Sequence, residues 1–158
     1  MKAKKRKSPI LVPVDFSAYS QAALLTACEL AACTGQPLVV LHVIHDPAEM
    51  PGYYGQVTKK KKLLRIEDLA REAFDGFMHS VIKHNPDQTL LREAEPMLVV
   101  GLPVTRILEA ANKTGASMIV MGSRGRTGLD RLMLGSKAEQ VVRLSPIPVM
   151  TVKDRPPR

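Results

Sequence analysis

The stretch MGSRGRTGLDRLMLGSKAE, Met121 to Glu139, carries four glycines and three arginines directly after the apolar run from Ser117 to Val120. Glycine costs backbone entropy, so such spacing implies a need for positive φ or for a missing side chain. Beside a helix start, glycines let main-chain N–H groups approach an anion, and the helix terminus adds oriented donors and partial positive charge. The standard phosphate motifs are absent: the glycine spacing does not fit G-x-G-x-x-G, and Gly135-Ser136-Lys137 places Ser before Lys, against G-K-[ST]. Arg124 and Arg126 either bring side-chain charge to a phosphate or form a solvated surface. Ser136 and Glu139 form S-x-x-E, which predicts a capping box with Ser136 as N-cap; its hydroxyl is also placed to donate to a phosphate oxygen. The second residue with chemistry is Asp15, which follows a strand-like run.

These residues need elements that bring them together. Ser8 to Phe16 and Pro37 to His45 are continuous apolar runs rich in β-branched residues, the pattern of strands covered on both faces. Between them lies an Ala- and Leu-rich helix with Ser17 as N-cap and Gly35 at the C′ position. Residues 61–84 repeat apolar residues at helical spacing and stop before Pro86. Glu95 to Gly101 is a third strand, Pro103 opens a helix ending at Gly115, and Ser117 to Gly122 is a fourth strand. Ser136 to Ser145 is the last helix and Ile147 to Lys153 the fifth strand. The alternation predicts a single doubly wound α/β domain, Rossmann-like, with a mainly parallel five-stranded sheet and helices on both faces. Ligands on such sheets bind beyond the carboxyl ends of the strands at the switch point, so Asp15 and the glycine-rich loop converge if strands one and four are neighbours.

At this point the chain resembles the universal stress protein family, in its ATP-binding branch. Gly122-x-x-Gly125, nine residues, then Gly135-Ser136 is similar to that family's nucleotide-binding signature. Further blocks agree in order and spacing: Pro13 to Ser17, Leu41 to Ile44, Gly101 to Pro103, Met118 to Leu129 and Pro146 to Val152. The resemblance implies ATP as ligand, with Mg (or Mn) bridging the phosphates. It implies that Pro13, Val14 and Asp15 lie at the nucleoside, with Asp15 facing it, and that the main chain at Val43 pairs with the adenine edge. Met121, Gly122, Gly125, Gly135 and Ser136 then follow the ribose-triphosphate path, with Arg124 and Arg126 in the same loop. Lys137 departs from the family, which commonly has Val, Thr or Ser there, and sets a long cation near the phosphate end. Val14 departs where Thr is frequent. The resemblance also implies a homodimer through the strand at residues 147–153, an apolar edge of the kind that invites pairing.

The chain of 158 residues is the size of one domain. The domain is expected over residues 8–153, with a basic tail at 1–7, a Pro/Gly-rich loop at 46–62 and a short tail at 154–158. Net charge is +8, and Lys2, Lys4, Lys5, Arg6 and Lys7 supply five of those charges. With no Trp and no aromatic interleaving, nucleic acid is not the expected partner. No apolar run is long enough to span a bilayer, so a cytoplasmic protein is expected, with no membrane partner. Cys28 and Cys33 fit neither a metal pair nor a disulfide framework and read as packed residues of one helix. His42 likewise reads as a packed strand histidine. The leading function is an ATP-binding stress-response regulator, in which nucleotide orders the loop and modulates contact with a protein partner. A slow ATPase or autophosphorylating protein is the alternative; a nucleic-acid role for the tail is a third. No carboxylate or histidine in the loop is an obvious general base, which favours the regulator and assigns no catalytic residue.

Overall fold

The computed structural model describes residues 7–45, 66–125 and 133–154. Strand β1 (Ile10–Pro13) leads through α1 (Ala18–Thr34) to β2 (Leu38–Ile44), and α2 (Ile66–His84) and the short α3 (Leu90–Glu93) precede β3 (Glu95–Val100). Helix α4 (Pro103–Thr114), β4 (Met118–Gly122), α5 (Ser136–Leu144) and β5 (Val149–Val152) complete the order. All strand pairs are parallel and the sheet order is β3-β2-β1-β4-β5. The chain therefore reverses its direction of travel across the sheet between β1 and β4, as the alternation of elements predicts.

Strand alternation divides the core into two layers. Ile10 and Val12 of β1, with Val40 and Val120, meet Ala23, Leu24, Ala27 and Cys28 of α1 and Phe74 and Val81 of α2. Leu11, Leu41, Ile119 and Met121 face the other way, against Ile107, Ala110 and Ala111 of α4 and Ala138 and Val141 of α5. The small side chains of α1 and α4 let these helices lie close on the sheet. Helix α1 has the expected caps: the Ser17 hydroxyl accepts from the Ser20 N–H, and Gly35 adopts φ 67° and donates to the Ala31 carbonyl. Among the described residues, no helix is long and apolar enough to cross a membrane.

The expected elements are all present where described, with shorter strands. The first ends at Pro13 rather than Phe16, and Phe16 itself turns to φ 66°, outside the extended region. Helix α3 has no counterpart in the sequence reading; it is one turn, anchored by Leu91, which is buried against α1. The basic residues 1–6, the 46–62 loop, the first turn expected for the 61–84 helix, Arg126 and residues 155–158 lie outside the described residues. Cys28 is buried and Cys33 exposed; burial, aided by the Glu29 charge, pushes the Cys28 thiol up to about 11, so it stays protonated and unreactive.

Candidate functional site at the sheet switch point

Strand β1 ends in a turn whose hydrogen bonds fix a carboxylate. The Val14 N–H donates to the Leu41 carbonyl at 2.8 Å, the last rung between β1 and β2. Asp15 follows, and its Oδ1 accepts from the Ser17 N–H at 3.1 Å and the Ser17 hydroxyl at 2.5 Å. The same hydroxyl accepts from the Ser20 N–H at 3.2 Å, so the α1 cap and the carboxylate clamp share one atom. Two donors on Oδ1 set the plane of the carboxyl group and with it the position of Oδ2. Between Asp15 and Ser17 the chain passes through Phe16, the one described non-glycine residue with positive φ. That conformation costs on the order of 1–3 kcal/mol. The ring it delivers stacks on His42, with centroids 4.3 Å apart and planes 27° apart, and touches Phe77 of α2.

The glycine-rich segment approaches from β4. Gly122 carries no side chain because α1 crosses it: a Cβ there would stand 2.8 Å from the Tyr19 Cβ and 2.9 Å from its carbonyl carbon. A Cβ on Gly125 would stand 3.0 Å from Asp15 Oδ2, so the loop main chain lies directly against the carboxylate. A Cβ on Gly135 would press on the Arg124 Cα at 3.2 Å and the Ser123 carbonyl at 3.3 Å. None of the three has positive φ. The glycines answer to close approach, not to unusual backbone conformation.

Two bonds bring the arms of the loop together. The Gly135 N–H donates to the Ser123 carbonyl at 2.8 Å, and Arg124 Nε donates to the Met133 carbonyl at 3.2 Å. Arg124 is 8% exposed, with its guanidinium 6.0 Å from the Tyr19 ring centroid. Of the two sequence alternatives for Arg124, a solvated surface is excluded by this burial. The predicted capping box is also absent. Gly135 is the N-cap, its carbonyl accepting the first helical bond from Glu139 N–H at 2.9 Å, and as a glycine it offers no side chain to cap the end. Ser136 is already in the helix, where its hydroxyl cannot turn back to the third residue. Ser136 and Lys137 are both exposed at this helix start, where the N-cap residue supplies no side-chain cap.

Val43 occupies the other wall. In a parallel ladder alternate residues send their peptide groups to the same neighbour. In β2 the odd residues face β1: the Pro37 and Leu41 carbonyls accept from Ile10 and Val14 N–H groups, whereas the Ile44 carbonyl accepts from Gly101 on the β3 side. Val43 is next in the odd series, past the end of β1. Its N–H and carbonyl face the space that β1 vacates. The Val14 carbonyl, which a continued ladder would offer to Val43, accepts instead from His42 Nδ1 at 2.9 Å. His42 is 1% exposed, and burial lowers its proton affinity, against the opposing pull of the Val14 carbonyl, so the ring is neutral at pH 7.

The structure thus gathers Asp15, Gly125, Gly135 and Val43 around the carboxyl ends of β1, β2 and β4, with Pro13, Val14 and Met121 buried beneath them. Sequence reasoning missed Tyr19, for which no local signal exists, and treated Ser17 only as a cap.

Comparison with known proteins gives the family and the fold. The model of the universal stress protein family matches residues 8–153. The universal stress protein MJ0577 of Methanocaldococcus jannaschii is 30% identical over 160 residues, spanning 91% of this chain and 93% of that protein. Its solved structure superposes with a TM-score of 0.71 at 28% identity, covering 96% of this chain and 99% of that one. A universal stress protein from Archaeoglobus fulgidus, solved in complex with dAMP, shares the fold with a TM-score of 0.59 at 24% identity, covering 94% and 99% of the two chains. The chain belongs to the universal stress protein family.

Proposed function

We propose that the protein binds ATP at the carboxyl ends of β1, β2 and β4 and acts as a nucleotide-dependent stress-response regulator. The observation that carries this reading is the Asp15 carboxylate, clamped by Ser17 and set against Gly125, where any side chain would fill the approach. Val43 presents main-chain groups suited to an adenine edge, Asp15 an acceptor suited to ribose hydroxyls, and the uncapped start of α5 N–H donors suited to phosphate. Ser136 and Lys137 would meet the phosphates there. A divalent cation bound with the triphosphate would supply charge neutralisation between its oxygens. In this reading nucleotide orders the glycine-rich loop and so alters a surface read by a protein partner. Titration of ATP, ADP and AMP with and without magnesium tests it. ATP is expected to bind in preference to AMP, and more tightly with magnesium; no adenylate binding at all would refute it.

The same reading includes a homodimer through β5. Among the described residues that strand pairs only with β4, which leaves its other edge without a described partner, and Val142 and Leu144 of α5 are exposed at 45% and 56%. Light scattering at micromolar concentration is expected to give twice the 17.3 kDa chain mass. Introducing a proline at Thr151, on a pairing strand, is expected to shift the mass toward monomer. A wild-type protein that is monomeric would remove the dimer from the reading.

A further inference from the structure

We infer that His42 is a positioning residue that keeps an adenine-reading edge open by capturing a carbonyl from the β1–β2 ladder. The inference rests on the ATP reading for its functional meaning and on the ladder geometry for its mechanism.

Strand β1 does not stop for lack of a partner. The Val14 N–H still makes its rung to Leu41. The next rung in register would join the Val43 N–H to the Val14 carbonyl, since Pro13 lies opposite Leu41. Among the described residues no main-chain bond of that kind is present. The Val14 carbonyl is bonded to His42 Nδ1 at 2.9 Å. A carbonyl only accepts, so Nδ1 carries the hydrogen.

The direction of that bond matters. Val40 faces the α1 and α2 layer, and His42, two residues on, presents its ring to the same layer, where Phe16 stacks on it and Phe77 of α2 backs Phe16. The imidazole therefore draws the Val14 carbonyl out of the sheet plane toward the helices. The Val43 peptide is left facing the vacated space with no rung to β1. The left-handed Phe16 closes the device from above, because its ring holds the imidazole at a stacked distance of 4.3 Å. One side chain thus replaces a ladder hydrogen bond and converts a strand end into a main-chain edge with a donor and an acceptor, the pattern that an adenine face complements.

Two variants separate the donor from the ring. His42→Phe keeps an aromatic ring against Phe16 and loses the N–H. His42→Asn loses the ring and keeps an amide nitrogen attached at the same carbon as Nδ1. In the nucleotide-free protein, NMR coupling across a hydrogen bond between the Val43 nitrogen and the Val14 carbonyl carbon is expected to be absent in wild type and in His42→Asn, and to appear in His42→Phe. ATP affinity is expected to fall about tenfold in His42→Phe and to be retained in His42→Asn, while inorganic tripolyphosphate binding stays unchanged in both. The inference is overturned if wild type already shows the Val43–Val14 coupling, or if His42→Phe binds ATP as wild type does. It is equally overturned if His42→Asn is as weak as His42→Phe, or if tripolyphosphate binding falls with ATP binding. Should His42→Phe not fold, the coupling and affinity of His42→Asn decide the matter. A wild-type protein that binds no adenine nucleotide refutes the ATP reading, and the coupling measurement still decides what His42 does.

Discussion

Gly125→Val is expected to weaken ATP binding about a hundredfold while changing folding stability by no more than about 1 kcal/mol, measured by calorimetric titration and urea unfolding. The asymmetry follows from what the new side chain meets. Its Cβ would stand 3.0 Å from Asp15 Oδ2, and the γ-methyls would reach further into the same space. An exposed carboxylate would swing aside at little cost. This one is held at Oδ1 by both the N–H and the hydroxyl of Ser17, so moving Oδ2 breaks charge-assisted hydrogen bonds at the entrance to α1. The alternative is for the loop main chain to retreat, which takes its N–H groups away from the ligand. Either adjustment spares the core, since both hydrophobic layers lie beneath the site. Unchanged ATP affinity in a folded Gly125→Val would separate Asp15 and Gly125 from the nucleotide.

Much of this arrangement is legible in the residues themselves, and the limit of legibility has a physical form. Strands β2 and β4 announce themselves because burial on both faces demands apolar residues at nearly every position, His42 being the exception in β2, and α1 and α4 because Gly35 and Gly115 mark left-handed ends. Convergence of Asp15 on the glycine-rich loop follows from the direction reversal of a doubly wound sheet, and β1 does lie beside β4. Ser136 shows where local pattern misleads: S-x-x-E satisfies the capping-box rule, yet Gly135 enters the helix first and its carbonyl takes the bond from Glu139. A motif fixes which bonds are allowed, and the incoming chain direction decides which one forms. Arg124 shows a second limit. Nothing in a Gly- and Arg-rich loop distinguishes a solvated arginine from one folded back on Tyr19 and Met133. The Val43 edge is of a third kind, since it depends on the register between β1 and β2 and on a bond from His42 to Val14. Register is a property of two segments, and no single window of sequence contains it.

Gly122→Val carries the opposite signature to Gly125→Val, although the two glycines are three residues apart in one motif. Its Cβ would lie 2.8 Å from the Tyr19 Cβ and 2.9 Å from the Tyr19 carbonyl carbon, distances that real side chains do not reach. Tyr19 belongs to the first turn of α1, which is tied down by the Ser17 cap and by the buried Ala23, Leu24 and Ala27. Gly122 is the last residue of β4, paired with Val152 of β5, and the next residue donates to the Val152 carbonyl. Neither Tyr19 atom is the far end of a flexible side chain that could swing aside. Relief requires α1 to lift from β4, which opens the layer containing the fully buried Ile10, Val12 and Val120. The expected loss is about 3 kcal/mol, roughly 8 °C in Tm for a domain of this size, read from urea and thermal unfolding. Gly122→Ala is expected to lose a smaller amount in the same direction, because the clash begins at Cβ. If Gly122→Val unfolds like wild type and only ATP binding suffers, the glycine serves the ligand and not the helix crossing. The expected split, stability at Gly122 and affinity at Gly125, assigns one short motif two separate physical duties.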